Sequence, residues 1–290
     1  MTSVVIAAHN EEGVIGACLD ALLRDARPGE LDVTVVANAC TDRTVAVASQ
    51  RPGVRVLDRD QPGKAAALNA GDRVAVGFPR IYLDADIVVG TGVARALRDA
   101  LSRSEAGPHA AFPDRHLDLR GRPLPVRCYF AINNRLPLFR EGLFGRGMIA
   151  VSAQGRARFD RFPDLVADDL FLDSVFAAEE KVLVPQVSTT VAAPLRTRDL
   201  VNRLIRVRRG NAAMRRAAAD GLVTTPVRPA ERWSWLRDVV LPRPWLAPAG
   251  LVYVGISLVA ALRARTTGAA ATWERDESTR SVHSAPGASA

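Results

Sequence analysis

The chain has 290 residues, 48% of them hydrophobic, so it can bury a sizeable core and is not a disordered protein. Its net charge is +8, and all but two of its 39 basic residues, Lys64 and Lys181, are arginines. This charge predicts an anionic ligand or partner, such as nucleic acid, a sugar nucleotide or an anionic lipid. Three widely spaced cysteines, Cys18, Cys40 and Cys128, lack partnering histidines, which argues against a disulfide framework or zinc site and favours a reducing compartment.

From residue 3 to about residue 104, short runs of β-branched residues alternate with longer helical patterns. The predicted strands are SVVIAA, VTVVA, VRVL and RIYL, at residues 3–8, 33–37, 54–57 and 80–83. Helices are expected between them: one with Val14 and Cys18 on the same face, one near residues 42–50 and one in GKAAALNAGDRVA. This alternation predicts an α/β fold with a mostly parallel, Rossmann-like sheet flanked by helices.

A polar cluster follows each of the four predicted strands: HNEE, NACTD, DRDQPGK and DAD. In such sheets ligands bind beyond the carboxyl ends of the strands, so the clusters predict a single site. The last cluster contains Asp84 and Asp86, and aspartates beside a buried strand are costly unless a cation holds them. Mg²⁺ or Mn²⁺ binds such carboxylates together with substrate phosphates, although this tripeptide taken alone is also common in solvated turns.

Two familiar phosphate-binding signatures are missing from the sequence. HNEEGVIG has glycines only at positions 13 and 16, and it places carboxylates where the pyrophosphate of a dinucleotide needs bare amides. QPGKAAALN lacks the upstream glycine and the following Ser or Thr of a Walker loop. The site therefore belongs neither to the classical dinucleotide-binding proteins nor to the P-loop proteins.

A second acidic pair, Asp168 and Asp169, precedes an apolar helical pattern. One of the two carboxylates is suited to cap the helix N-terminus. The other is a candidate general base, because a carboxylate beside a second acid can have a raised pKa.

The remaining sequence is less regular. Residues 105–195 contain prolines and glycines at irregular intervals. This pattern predicts mixed strands and helices that pack against the first half. Residues 196–216 contain eight arginines around Leu200, Leu204 and Ile205, which predicts an amphipathic basic helix. Residues 245–262 are uncharged and fit either a buried helix or one that enters or lies on a membrane. MTSVVIAAHNEE lacks the pattern of a signal peptide, so we expect no export.

Five motifs, in order, resemble those of the family 2 glycosyltransferases of the GT-A fold. VVIAAHNEE resembles the opening strand and turn, NACTDRT the second-strand motif, and GKAAALNAG the helix after the third strand. LDAD resembles the metal-binding D-x-D, and ADDLFLD the acidic element that carries the base. The resemblance covers about residues 3–210 and implies an inverting, Mg²⁺- or Mn²⁺-dependent transfer from a nucleotide-diphosphate sugar to a hydroxyl acceptor.

The resemblance also implies roles for individual residues. Asp86 would be the principal metal ligand, Asp84 would contact the metal or the ribose, and Asp169 would take the proton from the acceptor hydroxyl. Arg206 and Arg209 are candidates to clamp the pyrophosphate. The other expected contacts to the nucleotide and its phosphates are Ala8, Asn10, Glu11, Asn38, Asp58, Lys64 and Ala85. For Lys64 and Asp58, a solvated helix-start lysine and a structural turn aspartate are the alternatives.

Departures from the family pattern limit these expectations. Ala7, His9 and Ala37 stand where the family often has Pro, Tyr and Asp, so the donor nucleotide stays open. RLIRV at residues 203–207 resembles the Q/R-x-x-R-W element of polymerising members, with Val207 in place of the tryptophan that stacks on a sugar. The loss of that aromatic platform argues for a single addition and against processive synthesis.

The expected organisation has four parts. Residues 1–104 form a nucleotide-sugar-binding half and residues 105–220 a mixed, acceptor-side half of one GT-A domain. Residues 221–280 form a helical, membrane-associated tail, and residues 281–290 are expected to be disordered. We expect a cytoplasmic enzyme of cell-envelope glycan or glycolipid synthesis that is attached to the inner face of the membrane. The sequence leaves open whether its acceptor is lipid-linked or soluble.

Two other functions compete with this interpretation. A sugar nucleotidyltransferase would need a glycine- and arginine-rich signature after the first strand, and AAHNEEG does not supply it. A catalytically degenerate nucleotide-binding protein would not need the pair of Asp86 and Asp169. Nucleic acid is not an expected partner, because an aromatic content of 6% gives few platforms for stacking bases.

Overall fold

The computed structural model describes residues 1–102, 107–165, 167–223, 227, 229 and 231–266. Three expectations lie wholly or partly outside these residues: the boundary between the two halves at residues 104–105, the part of the helical tail from residue 267 to 280, and the disordered tail at residues 281–290.

The described residues form a single mixed sheet with helices packed on it. Its strands are β1 (Thr2–Ala8), β2 (Leu31–Asn38), β3 (Val54–Arg59), β4 (Arg80–Asp84), β5 (Ala110–Asp118), β6 (Met148–Val151) and β7 (Lys181–Ala192). The helices that follow β1 to β4 are α1 (Ile15–Leu23), α2 (Thr44–Ser49), α3 (Lys64–Val74) and α4 (Thr91–Leu101). The later helices are α5 (Leu124–Asn133), α6 (Pro137–Glu141), α7 (Ala153–Arg156), α8 (Asp168–Val175), α9 (Thr197–Ala219) and α10 (Ala247–Thr266).

The seven strands are arranged in the order β3-β2-β1-β4-β6-β5-β7. Strands β3, β2, β1 and β4 are parallel to one another, and β6 is antiparallel to both of its neighbours. Strands β5 and β7 pair in parallel at the far edge. The sequence prediction of a mostly parallel α/β sheet flanked by helices is therefore confirmed.

The strand β1 shows why this sequence forms a central strand. All seven of its residues are buried, as expected for a strand covered on both faces. Val4 and Ile6 point into the core beneath α1 and α4, whereas Val5 points into the core beneath α3. A methyl group on Gly71 of α3 would lie 2.3 Å from Val5 Cγ1, so the helix can pack this close to β1 only with glycine there.

The antiparallel strand β6 joins the two predicted halves of the catalytic domain. It pairs with β4 through residues 148–151 and with β5 through residues 150–151. At its start, the Asp84 amide donates a hydrogen bond of 2.8 Å to the Gly147 carbonyl. This pairing places the loop before β6, residues 142–147, directly beside the carboxyl end of β4.

The predicted basic helix is α9, and the predicted apolar helix is α10. Helix α10 packs on α5 and α9 through Val252, Tyr253, Ile256 and Ala260. The segment Pro244–Thr266 is long and apolar enough to cross a membrane: its most apolar 18-residue window has a mean hydropathy of 1.9, and 22% of that window is buried. A helix in the core of a soluble domain would bury most of its surface, so this exposure is a notable feature of α10.

Candidate active site

The two aspartates of the D-x-D motif lie at the carboxyl end of β4. Asp84 is the last residue of the strand, and Asp86 is exposed in the turn that follows. Between them, Ala85 is 3% exposed and packs into the core. The inward alanine anchors the turn, so both carboxylates lie at the sheet edge where the sequence analysis expected them.

The ends of β1 and β2 are joined by Asn38. Its Nδ2 donates to the Ala8 carbonyl at 2.7 Å, and its Oδ1 accepts from the Gly63 amide at 3.1 Å. Asn38 is 1% exposed, and these two hydrogen bonds of its side-chain amide connect the end of β1 to the residue before α3. The side chain therefore shapes the expected nucleotide pocket by fixing three loops.

The turn after β1 carries Asn10 and Glu11, two more of the residues expected to contact the nucleotide. Asn10 has a positive φ of 52°, which asparagine tolerates better than most residues, and its Oδ1 accepts from the Thr41 amide at 2.8 Å. Glu11 is 3% exposed, and its amide donates to Thr44 Oγ1 at 2.7 Å. These bonds hold the turn after β1 against the turn after β2.

Asp58 lies inside β3 and not just beyond it, which corrects the sequence expectation. The strand continues to residue 59 because Ala37 and Asn38 of β2 pair with Asp58 and Arg59. Asp58 is exposed at this end of the sheet. Its nucleotide contact stays a prediction.

Lys64, the first residue of α3, is the centre of the acidic cluster. Its Nζ lies 2.8 Å from Asp84 Oδ1 and 2.7 Å from Asp168 Oδ2. Burial lowers the lysine pKa, but the negative charges of Asp168, Asp84 and Asp169 outweigh it and hold the pKa well above its usual value. Lys64 is therefore a fixed cation that joins the D-x-D aspartate to the second acidic pair, and not a solvated helix-start lysine.

Asp169 lies in the first turn of α8, where the helix dipole favours a negative charge. Its Oδ2 accepts a hydrogen bond of 3.0 Å from the Gly145 amide. Burial first, and then the charges of Asp168 and Asp84, raise the pKa of the Asp169 carboxyl to about 7, against the lowering effects of Lys64 and the Gly145 amide. A carboxyl with this pKa can exchange a proton near neutral pH.

Neither aspartate caps α8, which corrects the expectation that one of them would. The cap position is Ala167, and no side chain accepts a hydrogen bond there. The strongest partner of Asp168 is Lys64, which lies 104 positions earlier in the chain. An ion pair over such a distance leaves no local signal in the sequence, and neither does the Gly145 amide that binds Asp169.

The two arginines expected to clamp the pyrophosphate lie on α9. Arg206 is half-buried. Arg209 Nε donates to the Ala264 carbonyl of α10 at 3.4 Å, so at least part of this guanidinium faces the C-terminal helix. The clamp role of both residues stays a prediction.

The carboxylates at the end of β4 suit a hard divalent cation. The described residues contain no cluster of three or more His, Cys, Asp or Glu side chains that could hold a metal by themselves. Mg²⁺ commonly binds through one or two carboxylates and completes its shell with water and substrate phosphates. Asp84 and Asp86 therefore fit a cation that binds together with a nucleotide diphosphate.

A mostly parallel sheet with Asp84 and Asp86 at the carboxyl end of β4, a second acidic pair close by and the antiparallel strand β6 beside β4 is typical of the GT-A nucleotide-sugar transferases. The sequence profile of "Glycosyl transferase family 2" matches residues 3–151. The chain therefore belongs to glycosyl transferase family 2, and it is a glycosyltransferase that uses a nucleotide sugar. No curated protein sequence matched the chain.

Solved structures support the same fold. The mannosyltransferase PcManGT from Pyrobaculum calidifontis, in complex with GDP-Man and Mn²⁺, superposes with a TM-score of 0.59 at 22% identity, covering 91% of this chain and 78% of that chain. Glucosyl-3-phosphoglycerate synthase from Mycobacterium tuberculosis, in complex with Mn²⁺, UDP and glucosyl-3-phosphoglycerate, superposes with a TM-score of 0.55 at 21% identity, covering 78% and 81%. At these identities the likeness establishes the GT-A fold.

Proposed function

We propose that this glycosyltransferase is inverting and metal-dependent, and that it adds one sugar from a nucleotide-diphosphate sugar to a hydroxyl acceptor. The observation that carries the proposal is the half-buried Asp169 carboxyl, which accepts a hydrogen bond from the Gly145 amide and has a pKa of about 7 that suits a general base. Lys64 and Asp168 link this base to the D-x-D aspartate at the end of β4. A protein that only bound a nucleotide would not need such a base.

In the proposed reaction, the acceptor oxygen attacks the anomeric carbon as the bond from that carbon to the nucleotide diphosphate breaks on the opposite face. Asp169 accepts the proton of the acceptor hydroxyl, and the bond electrons leave with the diphosphate. Asp84 and Asp86 would hold the divalent cation, which when bound neutralises charge on the leaving diphosphate. Lys64 keeps a positive charge between the two acidic pairs.

The proposal assigns donor binding to residues 1–104 and acceptor binding to residues 105–220. The GDP-Man and UDP complexes of the structural neighbours, both with Mn²⁺, support a nucleotide-sugar donor and a divalent cation. Val207 is exposed on α9 and offers no aromatic platform, which supports a single addition.

Substitution of Asp169 and Asp86 tests the catalytic assignment. Asp169→Asn keeps an acceptor for the Gly145 amide but cannot take a proton, so turnover should fall by about 10²- to 10⁴-fold while donor binding persists. Asp86→Ala should instead weaken metal-dependent donor binding. Asp25→Asn, at an exposed position, is the matched control and should leave both unchanged. Unchanged turnover in Asp169→Asn would remove this residue from the mechanism.

A thermal-shift titration identifies the nucleotide. The protein is melted with UDP, GDP or dTDP, each with and without Mn²⁺. A ligand that binds the folded state raises the melting temperature by mass action, so we expect stabilisation by one nucleotide in the presence of the cation. Stabilisation that does not require Mn²⁺ would contradict the role of Asp84 and Asp86.

We also propose that the enzyme works at the cytoplasmic face of the cell membrane, in cell-envelope glycan or glycolipid synthesis. One face of α10 packs on α5 and α9, while Leu251, Leu258 and Leu262 are exposed. Trp245, just before α10, and Trp233 are also exposed, and tryptophan favours the membrane interface. Because α10 packs against the arginine-rich α9, attachment to the bilayer surface is favoured over spanning.

Vesicle sedimentation tests this attachment. The double variant Leu251→Glu, Leu258→Glu should reduce binding to vesicles that contain anionic lipid, because it places two carboxylates in the face that meets the bilayer. Val76→Glu, at an exposed valine on the loop before β4, is the matched control and should bind as the wild type does. Equal binding by both variants would overturn the proposed attachment surface.

A further inference from the structure

A pocket of about 310 Å³ lies on the acceptor side of the site, between β5 and the segment from α5 to α6. Its polar lining comprises Asp114, Arg115, Asn134, Arg140 and Arg146, and Phe139 supplies an aromatic wall. None of these residues belongs to the donor-side strands β1 to β4. The volume is at the low end of the range for small-ligand pockets, about 300–1,000 Å³.

Arg146 brings a buried positive charge to this pocket. It is 1% exposed, and its guanidinium donates to the carbonyls of Pro113, Gly142 and Phe139 at 2.9, 3.1 and 2.7 Å. Asp114, the one acidic residue of the described pocket lining, has its Oδ1 4.0 Å from Arg146 Nη1 and a mostly exposed side chain. Carbonyl groups satisfy the donors but carry no net charge, so the cation is poorly neutralised.

Arg115 adds a second guanidinium. Its Nη2 donates to Asn134 Oδ1 at 2.8 Å, and the group lies 4.7 Å from the centre of the Phe139 ring. Burial, followed by the positive charges of Arg146 and Arg203, lowers the pKa of Arg115 to about 10. The fold thus places the positive charges of Arg115, Arg146 and Arg203 near one another in a partly buried space. A bound anion would stabilise this arrangement.

Gly145 lies between the pocket and the proposed base, Asp169. The Gly145 amide donates to Asp169 Oδ2 at 3.0 Å, and a methyl group on Gly145 would lie 3.2 Å from Arg115 Nη1. An anionic group held by Arg115 would therefore be a close neighbour of Asp169. A molecule that carries both an anionic group and a hydroxyl could place the first in the pocket and the second at the base.

We propose that this pocket is an acceptor subsite that binds the phosphate or carboxylate of the acceptor and so directs its hydroxyl to Asp169. Guanidinium groups suit such anions because their forked donors match two oxygens at once. The inference rests on the proposed function, since it names the acceptor class of that reaction. The anionic group has two sources, a small soluble acceptor or a lipid headgroup, and both share this recognition chemistry.

Calorimetric titration tests the subsite without requiring transfer. Inorganic phosphate, glycerol 3-phosphate and glycerol are titrated into the full chain, and we expect the first two to bind and glycerol not to bind. Arg115→Gln should weaken binding of glycerol 3-phosphate by about 10- to 100-fold, since it removes a charged hydrogen-bond donor. Arg120→Gln, at an exposed arginine of the β5–α5 turn, is the matched control and should bind as the wild type does.

Two further variants locate the bound anion. Binding that survives Asp86→Ala and Asp169→Asn but is lost in Arg115→Gln places the anion in the pocket, whatever the outcome of the turnover assays. Binding that is lost in Asp86→Ala and kept in Arg115→Gln would place the anion at the donor site and overturn the proposal, as would no binding by the wild type. Melting temperatures of the variants establish that each is folded.

Vesicles distinguish the two sources of the anion. Sedimentation is compared for phosphatidylglycerol and phosphatidylcholine vesicles, with and without glycerol 3-phosphate. Arg115-dependent retention on phosphatidylglycerol that glycerol 3-phosphate reverses supports a lipid headgroup. Binding of glycerol 3-phosphate without any Arg115-dependent retention supports a soluble acceptor.

Discussion

The lysine between the two acidic pairs gives the sharpest test of the site. Lys64→Met keeps a side chain of similar length but leaves Asp84, Asp168 and Asp169 without their shared cation. Loss of a partner costs about 3–5 kcal/mol for a buried ion pair and at most about 1 kcal/mol for an exposed pair. The lysine side chain is 26% exposed, so we expect a loss of about 1–3 kcal/mol in the free energy of unfolding.

The expected loss is large enough to measure by thermal denaturation. For a chain of this size, 1 kcal/mol corresponds to a shift of about 2–4 °C in the melting temperature, so a loss of about 1–3 kcal/mol should lower the melting temperature of Lys64→Met by about 2 to 12 °C. Mn²⁺ should raise the melting temperature of the variant more than that of the wild type, because it returns positive charge to the carboxylates that the lysine had neutralised.

The other lysine of the chain is a natural control. Lys181 Nζ lies 2.9 Å from Asp173 Oδ1, also on α8, with the two side chains 5% and 1% exposed. Lys181→Met should therefore destabilise the protein at least as much, by about 3–5 kcal/mol. Because neither Lys181 nor Asp173 is a proposed cation ligand, Mn²⁺ should not compensate for the loss of this pair. An equal response of the two variants to Mn²⁺ would refute the assignment of Lys64 to the cation site.

The carboxylates of Asp169 and Asp72 give further predictions, for pH dependence and for stability. The pKa of about 7 for Asp169 predicts that kcat/KM rises about tenfold per pH unit below pH 7 and levels off above it, because only the ionised carboxylate accepts a proton. The same raised pKa means that the folded state binds this proton more tightly than the unfolded state does. The stability that this group contributes is therefore lost as the pH rises from about 4 to about 7. Asp169→Asn should remove this pH dependence of the free energy of unfolding, measured by urea denaturation. The Asp72 side chain is 4% exposed and pairs with Arg80 at 2.7 Å and with Arg156 at 2.8 Å. Asp72→Ala should therefore lower the free energy of unfolding by about 3–5 kcal/mol, measured by urea denaturation, and leave turnover per folded molecule unchanged.

The donor half of the fold could be predicted from the sequence because its signals are local. Each strand from β1 to β4 is a short β-branched run followed by a polar turn, and parallel strands bring those turns to one edge. The predicted Asp84 and Asp86 occur there for this reason. The strand β6 has four residues, MIAV, and nothing in so short a run specifies an antiparallel pairing with β4.

The interactions of the proposed catalytic carboxylates could not be predicted in the same way. Asp169 was identified from its motif, but its hydrogen bond to the Gly145 amide depends on a glycine with a φ of 58°, in a loop that is distant in sequence. Arg115 and Arg146 belong to unremarkable arginine-containing segments of a chain with many arginines. Their part in the proposed acceptor subsite is visible only in the structure, where β5 and the loop before β6 bring the two guanidinium groups to one pocket.

The loop of residues 142–147 contacts the D-x-D aspartate Asp84, the proposed base Asp169 and the proposed acceptor subsite. The Gly147 carbonyl accepts from the Asp84 amide, the Gly145 amide donates to Asp169, and the Gly142 carbonyl accepts from Arg146. The geometry depends on small residues, because a methyl group on Gly147 would lie 2.3 Å from the Ile87 side chain and one on Gly145 would approach Arg115. A side chain at either position should therefore move the proposed base relative to Asp84 and Asp86 or narrow the proposed acceptor subsite. Substitution of these glycines should therefore affect turnover more than stability, since the loop fixes where the reacting groups stand while the sheet beneath it supplies most of the folding energy.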